Sequence, residues 1–104
     1  MQQVKSEKEF LDQINRDTLT VEIFTTTWCP DCKRLDVFID EIVADHQDKQ
    51  WNKIDKDEFP ELAERENVMG IPSLLVYKNG EKIAHLHSAN AKTPDQVREF
   101  LDKL

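Results

Sequence analysis

Residues 18–45 constrain the fold most, because two hydrophobic periodicities meet there at a pair of cysteines. Residues 18–26 are rich in β-branched side chains and alternate as a strand does. Leu19, Val21 and Ile23 fall on one face, and Thr20, Glu22 and Phe24 on the other. From Cys32 onward the period changes. Leu35, Phe38, Ile39, Ile42 and Val43 repeat at the spacing of an amphipathic helix, and Cys32 extends that stripe upward. The helix should begin near Pro30, where proline suits the first turn. The junction itself reads Trp28-Cys29-Pro30-Asp31-Cys32.

The rest of the chain alternates in the same way. Ser6-Glu7-Lys8-Glu9 is a capping-box pattern followed by Phe10, Leu11 and Ile14 at helical spacing, which predicts a helix over 7–15. Val4 suggests a short edge strand before it. Residues 50–55, with Trp51 and Ile54, read as a strand. Asp57 is expected to cap a short helix through Pro60, Leu62 and Ala63 to about Asn67. Residues 73–78 form an apolar strand, Asn79-Gly80 is a hairpin signal, and 81–87 returns antiparallel. Thr93-Pro94-Asp95-Gln96 starts a last helix with Val97, Phe100, Leu101 and Leu104 as its buried stripe. Alternating β and α units followed by a hairpin imply an α/β fold, a mixed sheet of four to five strands with helices on both faces. With no repeat, low-complexity stretch or linker, residues 1–104 are expected to form a single domain.

Composition narrows the functional classes. A net charge of −7 argues against nucleic acid and anionic membranes, which call for basic patches. No segment approaches the roughly 20 apolar residues of a membrane span. The polar first ten residues carry no hydrophobic signal core, so a cytoplasmic location is expected. In that reducing compartment two cysteines suit catalysis or metal binding better than a permanent staple.

Two cysteines separated by two residues at a helix start suit reversible disulfide exchange. Cys29 faces the unpaired N–H groups and the positive end of the helix dipole, which favour a thiolate, and the thiolate is the nucleophile. Cys32 lies one turn inside on the apolar stripe, where burial favours the thiol. Position therefore assigns attack on a substrate disulfide to Cys29 and resolution of the mixed disulfide to Cys32. Half of a zinc site is the competing reading. It lacks a second Cys-x-x-Cys and has only His46, His85 and His87 to complete it. An inert buried pair fits poorly with Trp28 and Pro30 flanking an exposed helix start.

Nearly the whole chain resembles the thioredoxin family. The matching residues are Trp28-Cys29-Pro30-Asp31-Cys32, Asn52-Lys53-Ile54-Asp55, Gly70-Ile71-Pro72-Ser73 and Tyr77-Lys78-Asn79-Gly80-Glu81. The resemblance implies a thioredoxin-like fold and a cis-proline at Pro72 beside the cysteines. It also implies that the Ile71 backbone groups pair with an extended substrate like an added strand. Three positions depart from the family pattern. Pro30-Asp31 stands where thioredoxin proper has Gly-Pro, and the Asp31 carboxylate opposes the helix dipole at Cys29. The family's buried acid, six residues before the first cysteine, is Ile23, and its accompanying lysine is Trp51. Asp31 or Asp36 is then the candidate to take the Cys32 proton, and Glu22 should face away. Val37 replaces a helix-kinking proline.

Trp28, ahead of the cysteine, is expected to shield the sulfur and contact substrate. His85 and His87 are expected on a solvated edge strand, and the acidic run 55–66 as a solvated face. The expected activity is thiol–disulfide exchange through Cys29 and Cys32 on protein disulfides or low-molecular-weight thiol adducts, with Trp28, Pro30, Asp31, Ile71 and Pro72 in support. The redox-active Cys29–Cys32 disulfide needs no bound cofactor or metal. Electrons come from a separate reductase or thiol pool, and the chain is expected to be a monomer. The alternative is a binding module of the same fold that holds a partner at its sheet edge and its Ile71-Pro72 loop.

Overall fold

The computed structural model describes Met1–Leu104. In chain order the elements are β1 (Gln2–Gln3), α1 (Glu7–Ile14), β2 (Thr20–Thr25), α2 (Pro30–Asp45), β3 (Gln50–Asp55), α3 (Pro60–Arg65), β4 (Ser73–Lys78), β5 (Glu81–Leu86), a 3₁₀ turn (Ser88–Asn90) and α4 (Pro94–Asp102). The sheet has five strands in the order β1-β3-β2-β4-β5. β1 and β2 pair parallel with β3, β4 runs antiparallel to β2, and β5 antiparallel to β4. The expected edge strand is therefore present, formed by Gln2 and Gln3, with the Val4 N–H extending it to the Lys53 carbonyl at 2.8 Å.

β2 is central, and all six of its residues are buried. Its alternation builds two cores. Val21 and Ile23 join Trp51, Leu74 and Val76 beneath Leu35, Ile39 and Ile42 of α2 and Val97 and Leu101 of α4. Phe24 joins Ile54, Leu75 and Tyr77 against Phe10 and Ile14 of α1 and Leu62 and Ala63 of α3. Phe10 meets Phe24 and Tyr77 edge to face, with ring centroids 6.3 and 5.7 Å apart. Helices thus cover both faces of the sheet.

Caps fix most of the helix starts. Ser6 Oγ accepts the Glu9 N–H, and Thr93 with Gln96 closes a full capping box. Each such cap stabilises its helix by about 1 kcal/mol. At the hairpin, Asn79 (φ 53°) and Gly80 (φ 81°) both take the left-handed conformation a tight two-residue turn requires. The turn also docks on α1. The Asn79 N–H donates to the Arg16 carbonyl and the Gly80 N–H to the Ile14 carbonyl, and a Cβ on Gly80 would lie 2.5 Å from Asn15 Oδ1.

Several expectations give way. Leu11 is exposed, and Gln13 takes the buried place on α1 because its amide faces the Glu22 carboxyl. Leu104 is exposed because α4 ends at Asp102, and Phe100 is only half-buried. α3 is capped by Phe59 with no side-chain bond rather than by Asp57, and it stops at Arg65. The acidic run is only partly a solvated face, since the Glu66 carboxylate accepts the Tyr77 hydroxyl and Asp57 is also engaged. His85 is half-buried rather than solvated. Its ring stacks on His87 at 3.8 Å, and its Nε2 is buried without a partner. Burial, then the His87 and Lys82 charges, push its pKa down to about 4.

Glu22 faces α1 and not α2, as expected, but it is wholly buried. Burial pushes its pKa from 4.5 up to about 8, while Arg16 and Asn52 pull down and Glu9 pushes up. A raised folded-state pKa stabilises the protonated form. That contribution is complete below pH 4.5 and is lost as pH rises toward about 8, at up to about 1.4 kcal/mol per pH unit for one group. Glu22→Gln should remove this dependence. Urea unfolding at pH 5 and at pH 8.5 should show wild type losing at least about 1 kcal/mol more than the variant across that span. Equal losses in the two proteins would contradict the assignment.

Candidate active site

The β2–α2 junction places the two cysteines by backbone geometry. Cys29 remains extended (φ −78°, ψ 120°) and is the N-cap of α2, with Pro30 in the first turn. Its Sγ accepts the Cys32 N–H at 3.2 Å, so a sulfur fills the role a serine or aspartate oxygen usually has. The Cys29 thiol also faces the Ile71 carbonyl at 3.8 Å. Both thiols are free; Cys29 is 5% exposed and Cys32 1%. Burial, followed by the hydrogen bond with Cys29, pushes the Cys32 pKa up to about 11, with the Thr25 hydroxyl and Thr26 backbone opposing. Ile71, half-buried, and Pro72, buried, lie beside the pair, and the bond between them is cis.

No group of three or more His, Cys, Asp or Glu side chains is arranged to hold a metal ion. His46 ends α2 at the far end from the cysteines, where its carbonyl accepts the Trp51 indole N–H at 3.0 Å.

The Thioredoxin family model matches residues 1–103. The chain belongs to the thioredoxin family. It is 34% identical over 96 residues to Thioredoxin 1 of Plasmodium falciparum, covering 92% of each protein. Against Thioredoxin-1 of Saccharomyces cerevisiae it is 34% identical over 88 residues, covering 85% of each. A solved structure of Plasmodium falciparum thioredoxin matches with a TM-score of 0.89 at 29% identity, over 99% of this chain and 98% of that one. Like its thioredoxin relatives, the protein is a thiol–disulfide oxidoreductase. No helix is long and apolar enough to cross a membrane.

Within this thioredoxin fold the other singled-out residues fall into two groups. Trp28 is 63% exposed, and its indole N–H donates to Asp57 Oδ2 at 2.7 Å, which fixes the ring at the surface. Asp31, in the first turn of α2, accepts from Lys92 Nζ at 2.8 Å and from Arg34 at 3.3 Å. The hydrogen bond and charge of Lys92 hold the Asp31 carboxyl below the usual carboxylate range. Ile23 and Trp51 lie in the apolar core under α2, so no acid–lysine pair exists there. Asp36 pairs with Lys53 at 2.9 Å. Both line a polar cleft of about 140 Å³ together with Thr25, Thr26, Thr27 and Asp55. Sequence reasoning missed Asp57 as the partner of Trp28 and Lys92 as the partner of Asp31, because each lies far along the chain.

The two sulfurs should react unequally. At neutral pH iodoacetamide should modify Cys29 at least about tenfold faster than Cys32, which is buried and held as a thiol. Peptide mapping after brief labelling reads the ratio. Equal labelling, or preference for Cys32, would reverse the assignment.

Proposed function

We propose that the protein reduces disulfides of proteins or of low-molecular-weight thiol adducts, with Cys29 as nucleophile and Cys32 as resolving cysteine. The observation that carries this reading is the Cys29 sulfur in the N-cap of α2, where it accepts the Cys32 N–H at 3.2 Å at the positive end of the helix dipole. The Cys29 thiolate attacks one sulfur of the substrate RS–SR′, forming a mixed disulfide and expelling R′S⁻. Cys32 then gives up its proton and attacks Cys29 Sγ. The Cys29–Cys32 bond forms, RS⁻ leaves, and two electrons have passed to the substrate. A separate reductase or thiol pool returns the pair to the dithiol, and no bound cofactor takes part.

The exposed Trp28 ring supports a role in receiving the substrate, as does the position of Ile71, whose backbone groups pair with an extended substrate segment beside Pro72. Pro30 fixes the backbone of the first turn of α2 beside Cys29. For the Cys32 proton, Asp36 is better supported than Asp31. Thr25, which contacts Cys32, lines the same cleft as Asp36, and Asp36 has one cationic partner, Lys53, where Asp31 has two, Lys92 and Arg34. The proton passes by way of Thr25 to the cleft and its carboxylate. The cycle is that of a monomer working in the cytoplasm.

An assay of protein-disulfide reduction driven by dithiothreitol tests the reading. Cys29→Ser should fall to the uncatalysed rate, and Cys32→Ser should stall as a mixed disulfide that resolves only with added thiol. In single turnovers Asp36→Asn should slow resolution about tenfold or more while leaving the first attack within about twofold. Full activity of Cys29→Ser would end the proposal. An unchanged resolution rate in Asp36→Asn would remove only the proton route.

A further inference from the structure

Asp31 presents a physical conflict. A carboxylate in the first turn of α2 competes with the Cys29 thiolate for the same positive helix end, and it repels that thiolate. The structure supplies a counter-charge from a distant element. Lys92 lies 61 residues away on the segment entering α4, and its Nζ is 2.8 Å from Asp31 Oδ2. Its placement is not accidental to the surface. Ala91 before it is buried, and the Lys92 N–H donates to Gln96 Oε1 at 2.9 Å, the same oxygen that takes the Thr93 N–H at 3.1 Å. The capping box of α4 therefore holds the backbone from which Lys92 reaches across to α2.

We propose that Lys92 is a positioning residue for the Cys29–Cys32 pair: by binding the Asp31 carboxylate it cancels that charge at the α2 N-terminus and keeps Cys29 reactive. The proposal rests on the reading of Cys29 as nucleophile. Arg34, one turn along the helix at 3.3 Å, binds the other Asp31 oxygen but is 62% exposed and so is the weaker clamp. Other charges near the junction are Lys33 on α2, the Asp36–Lys53 pair and Asp55 in the cleft at the end of β2, and Asp57, which is tied to the Trp28 indole. None of them pairs with Asp31. Lys92 is thus the one contact that joins the active-site turn to the α4 side of the molecule through a charge.

The test is the rate of Cys29 alkylation in the reduced protein against pH, read by peptide mapping so that it does not depend on turnover. Lys92→Met should slow alkylation near neutral pH by about two- to tenfold, the range left after solvent screening, and move the profile to higher pH. Lys92→Arg should keep the wild-type profile, and the double variant Asp31→Asn/Lys92→Met should return to within about twofold of it. Thermal melting checks that each variant folds; the ion pair is part-exposed, so it should. A wild-type rate in Lys92→Met overturns the proposal. So does slowing that Asp31→Asn does not reverse, which would mark Lys92 as merely structural. Failure of the disulfide-reduction reading would appear separately, as absent turnover in wild type with these alkylation differences intact.

Discussion

The hydrogen bond from the Cys32 N–H to Cys29 Sγ is the contact that fixes the geometry of the cysteine pair. It exists only if β2 ends at Thr25 and α2 starts at Pro30, because the N-cap residue must be extended while the next ones are helical. β2 is held at that end by pairing on both sides, parallel to β3 and antiparallel to β4. α2 is held by the burial of Leu35, Ile39 and Ile42 on the sheet. The same stripe carries Cys32 inward to 1% exposure, so the packing that secures the helix also separates the two sulfurs chemically. One sulfur caps a helix and the other lies in a core.

What the sequence revealed and what it hid follow from the range of the forces involved. The Ser6 cap and the Thr93 capping box, the Asn79-Gly80 turn and the switch of period at Cys29 are written within four to eight residues, so they are readable without the fold. Side-chain pairing between distant elements is not. Trp28 finds Asp57, Tyr77 finds Glu66, and Asp31 finds Lys92 only once the sheet has fixed the register. Asp57 shows how a local rule loses. It has the residue type and place of a helix cap, but the Asp57 N–H is turned to Asp55 Oδ1 and its carboxylate goes to the indole, leaving Phe59 to begin α3. Gln13 and Leu11 exchange expected places for a similar reason. The buried Glu22 carboxyl needs a polar neighbour, and an amide on α1 meets that need better than an apolar side chain.

Two buried ionisable groups sit back to back across β2. Cys32 belongs to the α2 face, and Glu22 to the α1 face, one residue out of phase with the apolar Ile23. A one-residue shift along a strand reverses the face, so Glu22 cannot serve Cys32 directly although it is adjacent in sequence to the family's acid position. Its network runs instead to Gln13, Asn52 and Arg16, away from the sulfurs. Polar access to Cys32 is left to Thr25 and Thr26, at the end of β2 where the strand opens onto the cleft containing Asp36 and Lys53.

The charge around the cysteine pair is set apart from the charge of the whole chain. A net charge of −7 disfavours any further negative charge on the surface, and Asp31 adds one beside Cys29. Long-range repulsion of that kind is screened within about 8–10 Å at physiological salt, so what governs Cys29 is the charge in its own neighbourhood. There the balance differs from that of the whole chain. Lys92 and Arg34 oppose Asp31, Lys53 opposes Asp36, and the helix terminus contributes its own positive field. The acids that give the protein its overall charge lie largely elsewhere, on exposed helix faces and in the turn before α3. Net charge and site charge are thus set by different residues, and only the second bears on the sulfur chemistry.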